Sequence, residues 1–78
     1  MERITKTLGQ SFEIDDQHYT ITRITIDWIQ VVNEEEIIEE IFAGKPSKLG
    51  TSAISCRWLA TNTIELLITS FAPTAQCA

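Results

Sequence analysis

The segment NEEEIIEEIFAG, residues 33–44, contains five glutamates and four large apolar side chains, and its conformation decides the fold class. With about 100° between successive residues of a helix, the isoleucines and the phenylalanine fall within about 140° of arc. Glu36, Glu39 and Glu40 then occupy the opposite side. This arrangement is typical of an amphipathic helix, and we predict one at about 33–43.

The ends of this segment also match helix boundaries. Asn33 is a favourable N-cap residue, and the glutamates that follow it lie where the positive end of the helix dipole would stabilise them. Gly44 can take the left-handed conformation that commonly ends a helix. The solvated face of a helix thus accounts for most of the acidic run, and a dedicated binding surface is the alternative.

Upstream of this segment, apolar residues alternate as they do in β-strands. Phe12 and Ile14 share one face, and Tyr19 and Ile21 share another after a polar stretch. A two-residue turn at 16–17 would place Ile14 opposite Tyr19. A four-residue loop is the alternative.

The phase of this alternation changes after Ile21, because the next apolar residues, Ile24, Ile26 and Trp28, are at even positions. An additional residue is therefore inserted near 22–23. A β-bulge in one long strand would produce this change, and so would a sharp corner between two strands.

The C-terminal half alternates more regularly, with its apolar residues at even positions. These are Ile54, Cys56, Trp58, Ala60, Ile64, Leu66 and Ile68. We predict a hairpin in which a three-residue loop pairs Trp58 with Leu66 and Cys56 with Ile68, and in which Trp58 lies in the core.

These segments together predict an α+β domain. It would contain a small, strongly bent antiparallel sheet or open barrel of about five strands, in the order β-β-β-α-β-β, with the amphipathic helix at about 33–43. The domain is expected to span residues 1–72. A flexible C-terminal tail is expected at 73–78, since Pro73 ends the last strand.

Composition and charge exclude several classes of protein. The chain has 78 residues, 44% of them hydrophobic and 22% charged, which is typical of a folded domain. A net charge of −5 disfavours nucleic acid as a partner and favours a basic one. No apolar run is long enough to span a membrane, and the N-terminal residues lack the apolar stretch of a signal peptide, so we expect a cytoplasmic protein with no membrane partner.

No pattern of residues indicates catalysis, cofactor binding or metal binding. His18 is the only histidine and lies in a predicted turn, so a second imidazole is missing for a metal site. Asp15 and Asp16 are adjacent, which suits a turn. Cys56 and Cys77 match no metal or redox spacing. We therefore predict no catalytic, cofactor-binding or metal residues.

These exclusions favour a small non-catalytic protein-interaction module, such as an accessory or regulatory subunit or an inhibitor-like protein. A small ligand-binding or enzymatic domain, with a pocket between the helix and the sheet, is the alternative. The expected partner is another protein, with a basic one favoured by the net charge, or a second copy of the chain.

Two surfaces are candidates for this interaction. One is the acidic helix face formed by Glu36, Glu39 and Glu40. The other is the outer face of the C-terminal hairpin, where the predicted register places Arg57 opposite Leu67 and Leu59 opposite Glu65. Leucines beside an arginine resemble a small interface core, so Arg57, Leu59 and Leu67 rank slightly above the acidic face.

Overall fold

A computed structural model describes residues 2–70, and every regular element in this range is a β-strand. The eight strands are β1 (Glu2–Thr7), β2 (Ser11–Ile14), β3 (Gln17–Ile24), β4 (Trp28–Asn33), β5 (Ile38–Phe42), β6 (Ser47–Leu49), β7 (Ser52–Ala60) and β8 (Thr63–Ser70). The α+β prediction with about five strands is therefore wrong. The tail predicted at 73–78 lies outside the described residues.

The strands form two antiparallel sheets that share one hydrophobic core. Sheet A has the order β1-β8-β7-β6, and sheet B has the order β2-β3-β4-β5. The buried apolar side chains come from both sheets and are Phe12, Ile14, Tyr19, Ile21, Ile29, Val31, Ile41, Leu49, Ile54, Cys56, Ile64, Leu66 and Ile68. Each large one contributes about 1.5–3 kcal/mol on burial. The described part of the chain is a two-layer β-sandwich.

Residues 33–43 form the end of β4, a turn and β5, where a helix was predicted. Asn33 does act as a cap, but of a hairpin turn: its Oδ1 accepts hydrogen bonds from the N–H groups of Glu35 and Ile37 at 2.8 and 3.0 Å. Glu36 has a φ of 64°, in the left-handed region. The Asn33 N–H donates a hydrogen bond to the Ile37 carbonyl oxygen, so the hairpin loop consists of residues 34–36 and ends in the left-handed Glu36. This is a common hairpin connection, and a left-handed residue at this position is incompatible with a continuous α-helix.

Pairing with β4 explains why this segment is a strand. Ile29 and Val31 of β4 are fully buried, and β5 supplies hydrogen-bonding partners for the backbone of β4. A helix of about ten residues is marginal in water without strong packing. Within such a helix, Glu36 and Glu40 would form a like-charge pair four residues apart, which is destabilising.

The β2–β3 hairpin has the predicted two-residue turn, but one position earlier. Asp15 and Asp16 form it, with φ angles of 53° and 65°, as a type I′ turn requires. Phe12 is consequently opposite Tyr19, and their rings stack with centroids 5.5 Å apart. The predicted pairing of Ile14 with Tyr19 is wrong. Aspartate tolerates the left-handed conformation, which explains this turn position.

A bulge interrupts the pairing of β3 with β4 between Ile21 and Arg23. Of the two alternatives predicted for this position, a β-bulge and a sharp corner, the structure has the bulge. A second bulge lies in β7 between Trp58 and Ala60. It was not predicted, and it shortens the loop before β8 to two residues, 61–62.

The second bulge corrects the predicted register of the β7–β8 hairpin. Trp58 lies opposite Ile64, and Cys56 lies opposite Leu66. The prediction that even positions face the core is confirmed for Ile54, Cys56, Ile64, Leu66 and Ile68. It is wrong for Trp58 and Ala60, which are exposed on either side of the bulge near the end of β7; Trp58 is 40% exposed.

Two further contacts connect the sheets. The carboxylate of Asp15 accepts hydrogen bonds from the Thr51 N–H at 2.6 Å and from the Thr51 hydroxyl at 2.9 Å, which links the β2–β3 turn to the β6–β7 turn. Gly50 allows this approach, because a Cβ atom at this position would collide with the Asp15 carboxylate. At another junction, Ala43 after β5 forms a bridge with Cys56 of β7.

Candidate protein-interaction surface

The outer edge of β5 presents backbone groups that no described strand pairs with. Hydrogen bonds join Asn33 N–H to Ile37 C=O and Ala43 N–H to Asp27 C=O, which sets the phase of the β4–β5 ladder. In an antiparallel ladder, alternate residues of a strand turn their N–H and C=O groups to opposite sides. The backbone groups of Ile38 and Glu40 therefore point away from β4.

This edge closes at its C-terminal end. Phe42 forms a bridge with Lys45, and the Ala43 bridge to Cys56 follows directly. The thiol of Cys56 also donates a hydrogen bond to the carbonyl oxygen of Ile41 at 3.4 Å. The open part of the edge is therefore 38–40, together with Ile37 before it; we call residues 37–40 the β5 edge.

The side chains of the β5 edge are all exposed. Ile37 and Ile38 are 48% and 60% exposed, and Glu39 and Glu40 are exposed beside them. Because side chains alternate along a strand, Ile38 and Glu40 lie on the outer face of sheet B, and Ile37 and Glu39 lie on the same side as buried Ile41. Two apolar and two acidic side chains thus border backbone that no described strand pairs with.

The outer face of sheet B extends this apolar surface. Val32 of β4 lies directly opposite Ile38, and Trp28 lies opposite Phe42, which is 38% exposed. The Arg23 guanidinium lies over the Trp28 ring, 5.7 Å from its centroid, and covers part of that side chain. Exposed apolar side chains next to an open strand are characteristic of sites that bind other proteins.

Carboxylates of sheet B raise the pKa of Tyr19 and contact His18. Burial raises the pKa of the Tyr19 hydroxyl, and the carboxylates of Glu39 and Asp15 raise it further. In the turn before the edge, the Glu34 carboxylate lies 3.5 Å from Nδ1 of His18. This contact connects the β4–β5 turn to β3.

The predicted acidic stripe is not formed as a single surface. Glu36 lies in the turn, and Glu39 and Glu40 lie on opposite faces of β5. The stripe was predicted from helical geometry, in which these three side chains would share one face. In the strand, Glu39 and Glu40 instead stand on either side of the same backbone edge.

The second predicted surface is also arranged differently. Arg57 lies opposite Glu65, with Nη1 3.9 Å from its carboxylate, and Leu67 lies opposite Ser55. The predicted pairs of Arg57 with Leu67 and of Leu59 with Glu65 are therefore wrong. Leu67 is half-buried, and Leu59 is 42% exposed at the β7 bulge. On this face the structure places an ion pair between Arg57 and Glu65.

Residues 2–70 hold no group of three or more His, Cys, Asp or Glu side chains placed to bind a metal ion. In the same range, no helix is long and apolar enough to cross a membrane. Burial raises the pKa of the Cys56 thiol to about 11, so this side chain is a poor nucleophile at neutral pH.

Sequence analysis did not identify the β5 edge, although a signal was present. The doublets of residues 37–40, two isoleucines and then two glutamates, fit a helix face and equally fit an edge strand with both faces partly exposed. The like-charge spacing of Glu36 and Glu40 is the feature that argues against the helix.

Comparison of the chain with protein-family models, with curated proteins and with solved structures finds no match. The interpretation of the β5 edge therefore rests on its geometry.

Proposed function

We propose that this chain is a non-catalytic protein-interaction module that binds an extended segment of a partner protein along β5, as an additional strand of sheet B. The observation that carries the proposal is the outward-facing backbone of Ile38 and Glu40, with which no strand of residues 2–70 pairs. In strand addition, main-chain hydrogen bonds provide affinity, and the alternate side chains provide specificity. An accessory subunit or an inhibitor-like protein could act in this way.

The surroundings of the edge support a protein partner. Exposed Ile37 and Ile38 offer apolar area to both faces of an added strand, and Val32 and Phe42 extend it on the outer face. The alternative function depended on a pocket between a helix and the sheet. The residues described here contain no helix to form that pocket.

The proposal can be tested with a library of random peptides displayed on phage and selected on the immobilised protein. Enriched peptides are then titrated against isotope-labelled protein, and amide chemical shifts are followed by NMR. We expect the largest shifts at residues 37–41. Enrichment of no peptide, or shifts concentrated on sheet A, would contradict the proposal.

Two variants at one position separate the backbone contribution from that of the side chain. Glu40→Ala keeps the outward N–H and should bind the selected peptides. Glu40→Pro removes that N–H without affecting the β4 ladder, so it should remain folded and lose binding. Equal binding by both variants would show that strand addition is not the mode of recognition.

A further inference from the structure

We infer that the segment bound along β5 carries two adjacent basic residues next to two adjacent apolar residues. This inference rests on the proposed function and specifies the chemistry of its partner. It follows from the order of the exposed side chains along the β5 edge, in which Ile37 and Ile38 precede Glu39 and Glu40.

The geometry of a sheet assigns one partner residue to each position of the edge. Side chains directly opposite each other on neighbouring strands have Cβ atoms about 4.5–5.5 Å apart, which permits contact between opposite charges and between apolar groups. Glu39 and Glu40 then require one basic residue on each face of the added strand. Ile37 and Ile38 require one apolar residue on each face.

Charge argues against a second copy of β5 as the occupant. Antiparallel pairing of β5 with itself brings Glu40 opposite Glu40, or Glu39 opposite Glu39, in the registers that best overlap the two strands. Like charges directly opposite each other destabilise a sheet. Acidic side chains at an open edge thus prevent self-pairing and permit pairing with a basic segment.

Two other segments of the chain also match this pattern poorly. The edge strand β1 has its basic residues, Arg3 and Lys6, three positions apart, so they cannot face Glu39 and Glu40 together. Residues 71–78 contain no lysine or arginine and include Pro73. Neither segment supplies the complementary charge, so we assign that charge to a partner protein.

The experiment compares three synthetic peptides of equal length that differ only at two adjacent central positions. These two positions are both Lys, both Gln or both Glu, and two valines follow them in each peptide. Binding to labelled protein is measured by NMR titration at about 50 mM and about 500 mM salt. We expect the Lys peptide to bind about 2- to 10-fold more tightly than the Gln peptide at low salt, and the Glu peptide to bind most weakly. High salt should reduce the difference.

Two double variants locate the effect. Glu39→Gln with Glu40→Gln should abolish the preference for the Lys peptide. Glu2→Gln with Glu13→Gln removes the same charge from other strands and should leave the preference intact. Thermal melting of each variant confirms that both pairs are folded.

The outcomes separate this inference from the function it rests on. If the Lys and Gln peptides bind β5 with equal affinity, the inference of a basic segment is wrong. It is also wrong if the Glu2 and Glu13 substitutions reduce the preference as much as the Glu39 and Glu40 substitutions do. In both cases binding by strand addition remains supported. If no synthetic peptide changes the amide chemical shifts of residues 37–41 and the displayed library yields no peptide that binds this edge, then the inference and the proposed function are both wrong. If the protein self-associates and Glu40→Pro abolishes this self-association, the occupant of β5 is a second copy of the chain and the inference of a basic partner is wrong.

Discussion

Strands β8 and β5 belong to different sheets of the sandwich, and β8 has a neighbouring strand on each side whereas β5 lies at an edge. β8 is paired on both sides, by β1 and β7, and its inward residues Ile64, Leu66 and Ile68 are all buried. Among the strands of residues 2–70, β5 pairs along its whole length with β4 alone, and Ile41 is its one fully buried side chain. A strand that is paired on both sides contributes to the core, whereas β5 keeps apolar side chains and backbone groups available for binding.

The contrast also explains where the acidic residues are. A long, apolar open edge promotes aggregation, and charged side chains on the edge reduce this risk. Glu39 and Glu40 supply that charge in β5, whereas β8 has only Glu65, which faces Arg57 on the outer face of sheet A. The same glutamates that protect the edge give it selectivity for a basic segment in our proposal.

The largest expected effect compares one isoleucine from each strand. Ile64→Ala should lower the free energy of unfolding by about 2–5 kcal/mol, because it leaves a cavity in the core. Ile38→Ala removes the same atoms from a side chain that is 60% exposed and should cost less than about 0.5 kcal/mol. Urea denaturation measures both. Similar losses for the two variants would mean that Ile38 is covered.

The closed end of β5 can be examined through Cys56. Burial raises the pKa of this thiol from 9.0 to about 11, so between these values the unfolded chain has lost the proton that the folded chain retains. The unfolded state then binds fewer protons, and stability falls as pH rises. The contribution is complete below pH 9 and lost above about 11, and it amounts to about 2–3 kcal/mol.

Denaturation curves measured across this pH range in a Cys77→Ser background provide the test. The Cys56→Ala variant is the control, because it retains the titration of Tyr19 in the same range. The decline in stability should be steeper when Cys56 is present. Parallel curves would show that the thiol is open to solvent.

Proline substitutions distinguish the two sides of β5. Glu39→Pro removes an N–H from the β4 ladder and should cost about 1–3 kcal/mol, whereas Glu40→Pro removes an outward N–H and should cost less. Thermal or urea denaturation of the two variants measures the difference. A greater loss for Glu40→Pro would reverse the assignment of the edge.

The sequence was most informative where the local pattern and the tertiary environment agree. Apolar residues at even positions predicted the inward face of the β7–β8 hairpin. Side chains alternate between the two faces of a strand, so only one set of positions can point to the buried side. The exact pairing was missed, because a bulge near Leu59 and the left-handed conformation of Asn62 shorten the loop. Alternation carries no information about either feature.

β5 could not be predicted in the same way. Its apolar residues fit a helix face, and Asn33 offers a cap that serves a helix or a hairpin turn equally well. The choice depends on pairing with β4, the preceding strand, which a pattern read from residues 33–44 alone does not include. The candidate site was missed for this reason, although its two glutamates, Glu39 and Glu40, were already among the predicted interaction residues.

Residue-resolved amide hydrogen exchange, followed by NMR, tests the central claim most directly. In β8, which is paired on both sides, the amides of residues 64–68 should all exchange slowly. In β5 the pattern should alternate: Glu39 and Ile41, which donate to β4, should be protected, and Ile38 and Glu40 should exchange at least about 10-fold faster. Uninterrupted protection from Ile38 to Ile41 would contradict the open edge, because it would mean that this segment is helical or that its outer side is already paired.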